Sequence, residues 1–320
     1  MLINEITNSV PTEGADELRN LAVTEFMVAC PLMMYAEFYS MRGNADSPRK
    51  DSEIYGGDNR TVGSDYGSPK SQNPQFGSVS LKIYGDKVKT DVANKRRGID
   101  IGSQRAKDLK SFSRSLGRYF TDSFVNDTID ATHFSGLKEQ VAAIPREIVL
   151  SGGADGFEVP AGNSSTQRAK QWTFIEALDA MIEETDPTCL LLDSKTIARL
   201  GSIGKEFVRT ISVSDIYGEN QVLTTYRERP LLRAGLKKDK SGPVIGHAET
   251  QGIDDDCTSI YAIRFGEEED VTFATNVGLD VQDLGLVGTE YITMVEFDID
   301  LAILNNWSVK RMKGIRITNN

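Results

Sequence analysis

The sequence predicts an α+β fold, and three patterns in its 320 residues lead there. In SQRAKDLKSFSRSLGRYFTDSFVNDTI, Ala106, Leu109, Phe112, Leu116, Phe120 and Phe124 recur every three or four residues. That is the period of an amphipathic helix of about six turns. In GSVSLKIYGDKVKTDVA and YITMVEFDIDLAIL, apolar and polar residues alternate, the period of a strand with one wet face. Between these, short helical and extended stretches interleave, as in α+β chains.

Taken in order, ADELRNLAVTEFMVAC places Leu18, Leu21, Ala22, Glu25 and Phe26 at helical spacing until Pro31 interrupts it. The stretch 41–77, MRGNADSPRKDSEIYGGDNRTVGSDYGSPKSQNPQFG, is too long and polar for an ordinary connection. Gly, Pro, Ser and Asn fill almost half of it, and Ile54, Tyr55, Val62, Tyr66 and Phe76 stand alone. A strand follows, with Val79, Leu81 and Ile83 on one side and Gly85-Asp86 as its turn. The long helix, expected over about 103–128, carries Lys107, Lys110, Arg114 and Arg118 on its other face.

A loop over 151–165 leads to the helix TFIEALDAMIEETD, where Thr173 and Glu176 have the form of a capping box and Asp186-Pro187 the stop. Cys189–Leu192 reads as a short buried strand and SKTIARLGSIG as a short helix. SIYAIRFGEEEDVTFATNV reads as a hairpin turning at Gly266 to Asp270. In the last long strand Val295, Phe297 and Ile299 oppose Glu296, Asp298 and Asp300. No internal repeat is visible.

Composition excludes several function classes. The richest apolar run, LAVTEFMVACPLMMYAEFY, holds Glu25, Pro31 and Glu37, so no membrane span is expected. MLINEITNSVPTEG has no basic region before an apolar core, so no secretory signal is read there. Cys30, Cys189 and Cys257 form an odd, scattered set, expected as free thiols. Two histidines, His133 and His247, argue against a histidine-rich metal site. Net charge is −11, yet 11 basic and 4 acidic residues lie between Lys82 and Arg118. Nucleic-acid binding and complementary self-contact both remain open for that basic segment.

Catalytic chemistry is sparse. GSIGK at 201–205 lacks the spacing and the following Ser/Thr of a phosphate loop, and SGGADG reads as a surface turn. Asp254, Asp255 and Asp256 lack calcium-loop spacing; they and Glu267, Glu268, Glu269 and Asp270 read as solvated turns. His133 beside Asp130 has the elements of an acid/base pair but no nucleophile, and is read as a structural residue at a chain reversal. No catalytic, cofactor or metal residue is assigned.

Five segments in order carry a resemblance. HFSGL at 133–137, FIEALDAMIEETDPTCLLLDSKTIARL at 174–200, CTSIYAIRFGEE at 257–268, VGLDVQDLG at 277–285 and WSVKRMKGI at 307–315 are similar to successive segments of the major capsid proteins of tailed bacteriophages. These have the Hong Kong 97 type fold, and the resemblance spans roughly residues 20–315.

The resemblance implies an N-terminal arm over 1–50, an extended E-loop hairpin over 51–90, and a peripheral domain over 91–170 and 286–320 holding the long spine helix. An axial domain would cover 171–285. It implies an icosahedral head shell enclosing double-stranded DNA, assembled in the host cytoplasm, with no enzymatic activity. Partners would be other copies of the chain in hexamers and pentamers, a portal, a decoration protein, and packaged DNA held by weak contact. Little sequence precedes the arm, so a separate scaffolding protein is expected. Some relatives join a loop lysine to a neighbour's asparagine; Lys82, Lys87, Lys89 and Lys95 lie in or near the loop, but no partner asparagine is identified. Candidate inter-subunit contacts are Ile54, Tyr55, Tyr66, Phe76, Lys82, Lys89, Arg114 and Arg118. The alternatives are an encapsulin-like compartment shell and a soluble α+β enzyme using His133 and Asp130.

Overall fold

A computed structural model describes residues 16–51, 59–66, 75–150, 155–204, 208–214 and 220–318. Helix α1 (Asp16–Ala29) stops where Pro31 opens a 3-10 turn (Pro31–Met34), and strand β1 (Phe38–Ser40) follows. Four two-residue strands come next: β2 (Ala45–Asp46), β3 (Arg49–Lys50), β4 (Gln75–Phe76) and β5 (Val79–Ser80). Strand β6 (Lys82–Asp91) and the single turn α2 (Ala93–Arg96) lead into the long helix α3 (Ile101–Asn126). Asp100 starts α3 by accepting the Ser103 N–H at 2.9 Å, an N-cap that satisfies an otherwise orphaned donor.

Two expectations fail around β6. Ile83 is 67% exposed and Tyr84 is buried, because the alternation breaks at Leu81, between β5 and β6, and the residues beyond face the other way. Gly85 and Asp86 make no turn; they lie mid-strand opposite Glu296 and Val295. A Cβ on Gly85 would sit 2.1 Å from the Val295 carbonyl oxygen, so the glycine permits a close backbone approach rather than a reversal.

The middle of the chain runs through α4 (Leu137–Ala143), β7 (Glu147–Val149), β8 (Phe157–Val159), α5 (Ser165–Thr185), β9 (Cys189–Leu192) and α6 (Ser194–Ile203). Strands β10 (Val208–Ser214), β11 (Asn220–Tyr226), β12 (Arg229–Arg233), β13 (Glu249–Gln251) and β14 (Asp254–Ile263) follow. Helix α5 begins at Ser165 rather than Thr173, because the capping box is made by Ser164 and Gln167. Thr173 sits inside the helix and donates its hydroxyl to the Ala169 carbonyl at 3.1 Å. Asp186 ends α5 in the left-handed region, with φ 45°.

Strands β15 (Val271–Val287), β16 (Glu290–Ile303) and β17 (Val309–Ile317) complete the chain. The hairpin expected over 259–277 does not form. β14 pairs with β9 and β17, whereas β15 pairs with β16 and β1. Arg264 grips Asp270 through two 2.9 Å bonds, which closes the turn while its flanks enter different sheets.

One sheet has the order β1-β15-β16-β6; the other, of nine strands, runs β10-β11-β12-β9-β14-β17-β7, with β13 on β14 and β8 on β17. Alternation within β9 shows how they share the interior. Cys189 and Leu191 join the core under α1 and α3, and Leu190 and Leu192 join the core under α5 and α6. A strand wet on neither face reads as a continuous apolar run, hence Cys-Leu-Leu-Leu. Sheet membership does not follow the expected domain limits. β15, mostly inside 171–285, pairs in the four-stranded sheet, and β17, inside 286–320, in the nine-stranded one. No helix among the described residues is long and apolar enough to cross a membrane.

α1 lies against α3 at Gly117, which is buried together with Ser113 and Thr121 of the same helix. A Cβ on Gly117 would sit 2.7 Å from the Phe26 carbonyl oxygen and 2.9 Å from the Ala29 Cβ. Gly201 in α6 has nothing within 4 Å of its Cβ position. Urea unfolding should therefore separate two chemically identical changes. Gly117→Ala is expected to destabilise by about 1–3 kcal/mol through overpacking, and Gly201→Ala to stabilise by up to about 1 kcal/mol.

Candidate assembly interface

The polar stretch that the sequence left without a core forms, where it is described, a two-stranded ribbon. β2 pairs antiparallel with β5 and β3 with β4. Gly77 N–H donates to the Pro48 carbonyl at 2.8 Å in the gap between the pairs, and Leu81 N–H to the Asn44 carbonyl at 3.0 Å at the body end. The hairpin thus begins at residue 45, before the expected start at 51. Residues 59–66 hold a turn in which Thr61 and Ser64 bond each other, and Arg60 lies 5.5 Å from the Tyr66 ring centre.

The root of the ribbon is built into the body of the protein. Tyr39, Met41, Val79, Ala274, Ala302 and Leu304 make a small buried cluster of their own, with Leu81 packed against it. Asp51 N–H donates to the Leu304 carbonyl at 2.6 Å, and Ser80 N–H to the Asp300 carboxylate at 2.6 Å. Phe76, opposite Arg49, is already 65% exposed, and further out Tyr66 is 60% exposed and Val62 fully so. A two-stranded ribbon alone in water is marginal at best.

The basic candidates on the body are largely engaged within the chain. Lys82 donates to the Asp130 and Ala131 carbonyls at 3.0 and 3.3 Å. Lys89 pairs with Glu290 at 3.2 Å. Arg114 meets Glu25 of α1 at 2.5 Å, and Lys110 meets the other oxygen at 2.6 Å. Arg118 is half-buried, and its Nε finds no acceptor among the described residues. Ile54 and Tyr55 lie outside the described residues. Burial pushes the Glu25 carboxyl upward, but the hydrogen bonds from Lys110 and Arg114 outweigh it and leave the group below its ordinary value. Glu25 was legible: a carboxylate amid Leu21, Ala22 and Phe26 on an apolar helical face needs a cation to meet it.

Other sequence candidates resolve as structure. His133 engages Asp130 through Nδ1 at 2.9 Å and the Tyr119 hydroxyl through Nε2 at 3.1 Å. Asp130 is held well below the carboxylate range by the Thr132 N–H first and the His133 side chain next. Asp254 and Asp256 are not in a solvated turn; they open β14 and share Arg316. Asp270 is bound by Arg264, so the expected acidic tip is anchored at its end. The three cysteines are free and buried. Among the described residues no group of three His, Cys, Asp or Glu side chains is placed to hold a metal ion.

No protein-family model and no curated relative matches the chain by sequence. Solved structures match over nearly its whole length. The holo-SrpI encapsulin complex from Synechococcus elongatus PCC 7942 is 15% identical, with a TM-score of 0.57 over 89% of this chain and 87% of that one. The capsid of a native GTA particle is 13% identical, with a TM-score of 0.52 over 90% of each chain. A Mycobacterium phage Bobi structure is 8% identical, with a TM-score of 0.50 over 91% of each. The chain has the Hong Kong 97 type fold. At these identities the likeness is one of fold, and two features of this Hong Kong 97 type chain bear on assembly: the ribbon, and α1 clamped to α3 through Glu25.

That clamp changes what a charge reversal on α3 would report. Arg114→Glu should lower stability to urea by about 1–3 kcal/mol before any effect on association. Combining it with Glu25→Arg should recover part of the loss. A double variant no more stable than Arg114→Glu alone would show the pair to be passive.

Proposed function

We propose that this chain is the major capsid protein of a tailed phage, self-assembling into the icosahedral shell that encloses its double-stranded DNA. The observation that carries the reading is a ribbon anchored firmly at its root and bare beyond it, on a fold shared with shell-forming structures. A hairpin running from 45 to 80 reaches about 60 Å at about 3.3 Å per residue, beyond the radius of a single domain of this size. Its exposed Tyr66 and Phe76 dock on neighbouring copies, and each weak contact is multiplied over the shell through effective concentration. Ile54 and Tyr55 join them in this reading.

The unit around the four-stranded sheet and α3 serves as the peripheral domain, and the unit around the nine-stranded sheet as the axial domain. Residues before the ribbon are the arm. Hexamers and pentamers of the chain, a separate scaffolding protein, a portal and a decoration protein are the partners, with DNA touched weakly. Assembly takes place in the host cytoplasm, and the chain does no chemistry there. Lys82, Lys89 and Arg114 support the contact surface from within the subunit, while Arg118 faces a neighbour.

The encapsulin-like reading has one observation in its favour, the TM-score of 0.57 to an encapsulin complex. The contents of the particle separate the two: nucleic acid for a phage head, a co-purified protein cargo for a compartment. Negative-stain microscopy of the expressed chain should show large hollow particles. Excision of residues 60–66 should leave folded subunits that remain small by light scattering. Normal particles from that variant would remove the ribbon from the assembly role, and a monodisperse monomer or dimer from the intact chain would overturn the shell reading.

A further inference from the structure

Strand alternation places Asp300 with Glu296 and Asp298, on the face of β16 opposite Val295, Phe297 and Ile299. Yet Asp300 is only 8% exposed. The cause is the ribbon root lying across it. Ser80 N–H donates to Oδ2 at 2.6 Å, and Leu301 N–H donates to Oδ1 at 2.8 Å. Ala274 is its register partner, and Ala302 lies two residues on, both in the small cluster that Val79 of the root completes. The burial of this carboxylate therefore depends on the ribbon being seated.

The charged groups around it do not neutralise it. Lys82 of β6 supplies positive charge from a distance, with its ammonium committed to the Asp130 and Ala131 carbonyls. Asp46 of β2 and Glu268 of the 264–270 turn add negative charge, and together with Asp300 they push up the Tyr39 hydroxyl of β1, already raised by burial. An ionised carboxylate here keeps two N–H donors but loses its water, and among the described residues it meets no direct ion pair.

We propose that Asp300 makes the seating of the ribbon root proton-dependent: the root sits more firmly when Asp300 is neutral and loosens when it ionises. Seated, the carboxyl is pushed up to about 6 by burial, against the pull of the Ser80 and Leu301 N–H groups and Lys82. Unseated, it returns to water and to the ordinary carboxylate value near 4. The seated state therefore holds more protons between these values, so seating weakens as pH rises through the interval and is constant above it. The sign is opposite to that of a salt-bridged carboxylate such as Glu25. The inference concerns the isolated subunit and stands whether or not the shell reading does.

Hydrogen exchange on the full-length, unassembled subunit tests it. After correction for intrinsic exchange, protection of the Ser80 and Leu81 amides should fall about tenfold between about pH 5 and about pH 7.5, while amides in the middle of α3 keep theirs. Asp300→Asn should hold the acid-level protection across the range. No fall in the unaltered chain, or an equal fall in Asp300→Asn, would overturn the proposal. Carbon-13 titration of the Asp300 carboxyl decides the matter even if the variant does not fold. A midpoint near 6 supports the device, and one near 4 overturns it.

Discussion

The fold depends on one buried ring. Phe120 of α3 contacts Phe26 of α1, Tyr84 of β6, Phe134 of the 127–136 turn, Phe273 of β15 and Phe297 of β16, with ring centres between 5.6 and 6.2 Å apart. These five residues come from segments nearly the whole chain apart. Tilted aromatic pairs contribute about 0.5–1.5 kcal/mol beyond the area they bury, but the larger effect is registration. With Tyr84 fixed on the ring, Ile83 must face water and Gly85 must pass against Val295. With Phe26 fixed there, Glu25 is delivered to Lys110 and Arg114. The position of the ribbon root relative to the body follows from both.

Periodicity made the fold class and the long helix legible, because Phe120 and its neighbours recur at 3.6 residues whatever they pack against. It could not say which sheet a strand would join. The segment 259–277 has two alternating runs around a turn, and a hairpin is the local solution. Arg264 and Asp270 close that turn equally well when the flanks diverge, and the choice between β9 and β1 as neighbours is made by residues far away in sequence. Thr173 with Glu176 matched a capping box, but Ser164 and Gln167 matched one earlier, and the longer helix makes more hydrogen bonds. The small residues Ser113, Gly117 and Thr121 had a signal of their own, a stripe at four-residue spacing. All three are buried, and at Gly117 the stripe admits the backbone of α1.

The candidate surface was legible in outline and not in its electrostatics. Lone apolar residues in a long polar stretch marked the ribbon, since a segment with no core of its own must find one elsewhere. The basic run from Lys82 to Arg118 left nucleic-acid binding and complementary self-contact both open. For Lys82, Lys89, Lys110 and Arg114 partners stand within the chain, as backbone carbonyls, Glu290 and Glu25. Charge totals are blind to this, because pairing depends on which faces meet. Asp300 escaped for the same reason: its strand pattern placed it in water, and the ribbon root bonds over it through Ser80.

The central claim is that the ribbon beyond its root is completed by another copy of the chain. Photo-crosslinking measures this directly. A photoreactive amino acid in place of Tyr66, in particles assembled from equal parts light and isotopically heavy chains, would be irradiated and digested, and the joined peptides weighed. Pairs joining a light to a heavy peptide are the predicted result, because the ribbon tip rests on a neighbour. Joined peptides drawn only from within one isotopic form would contradict the account, since the tip would then lie on its own subunit.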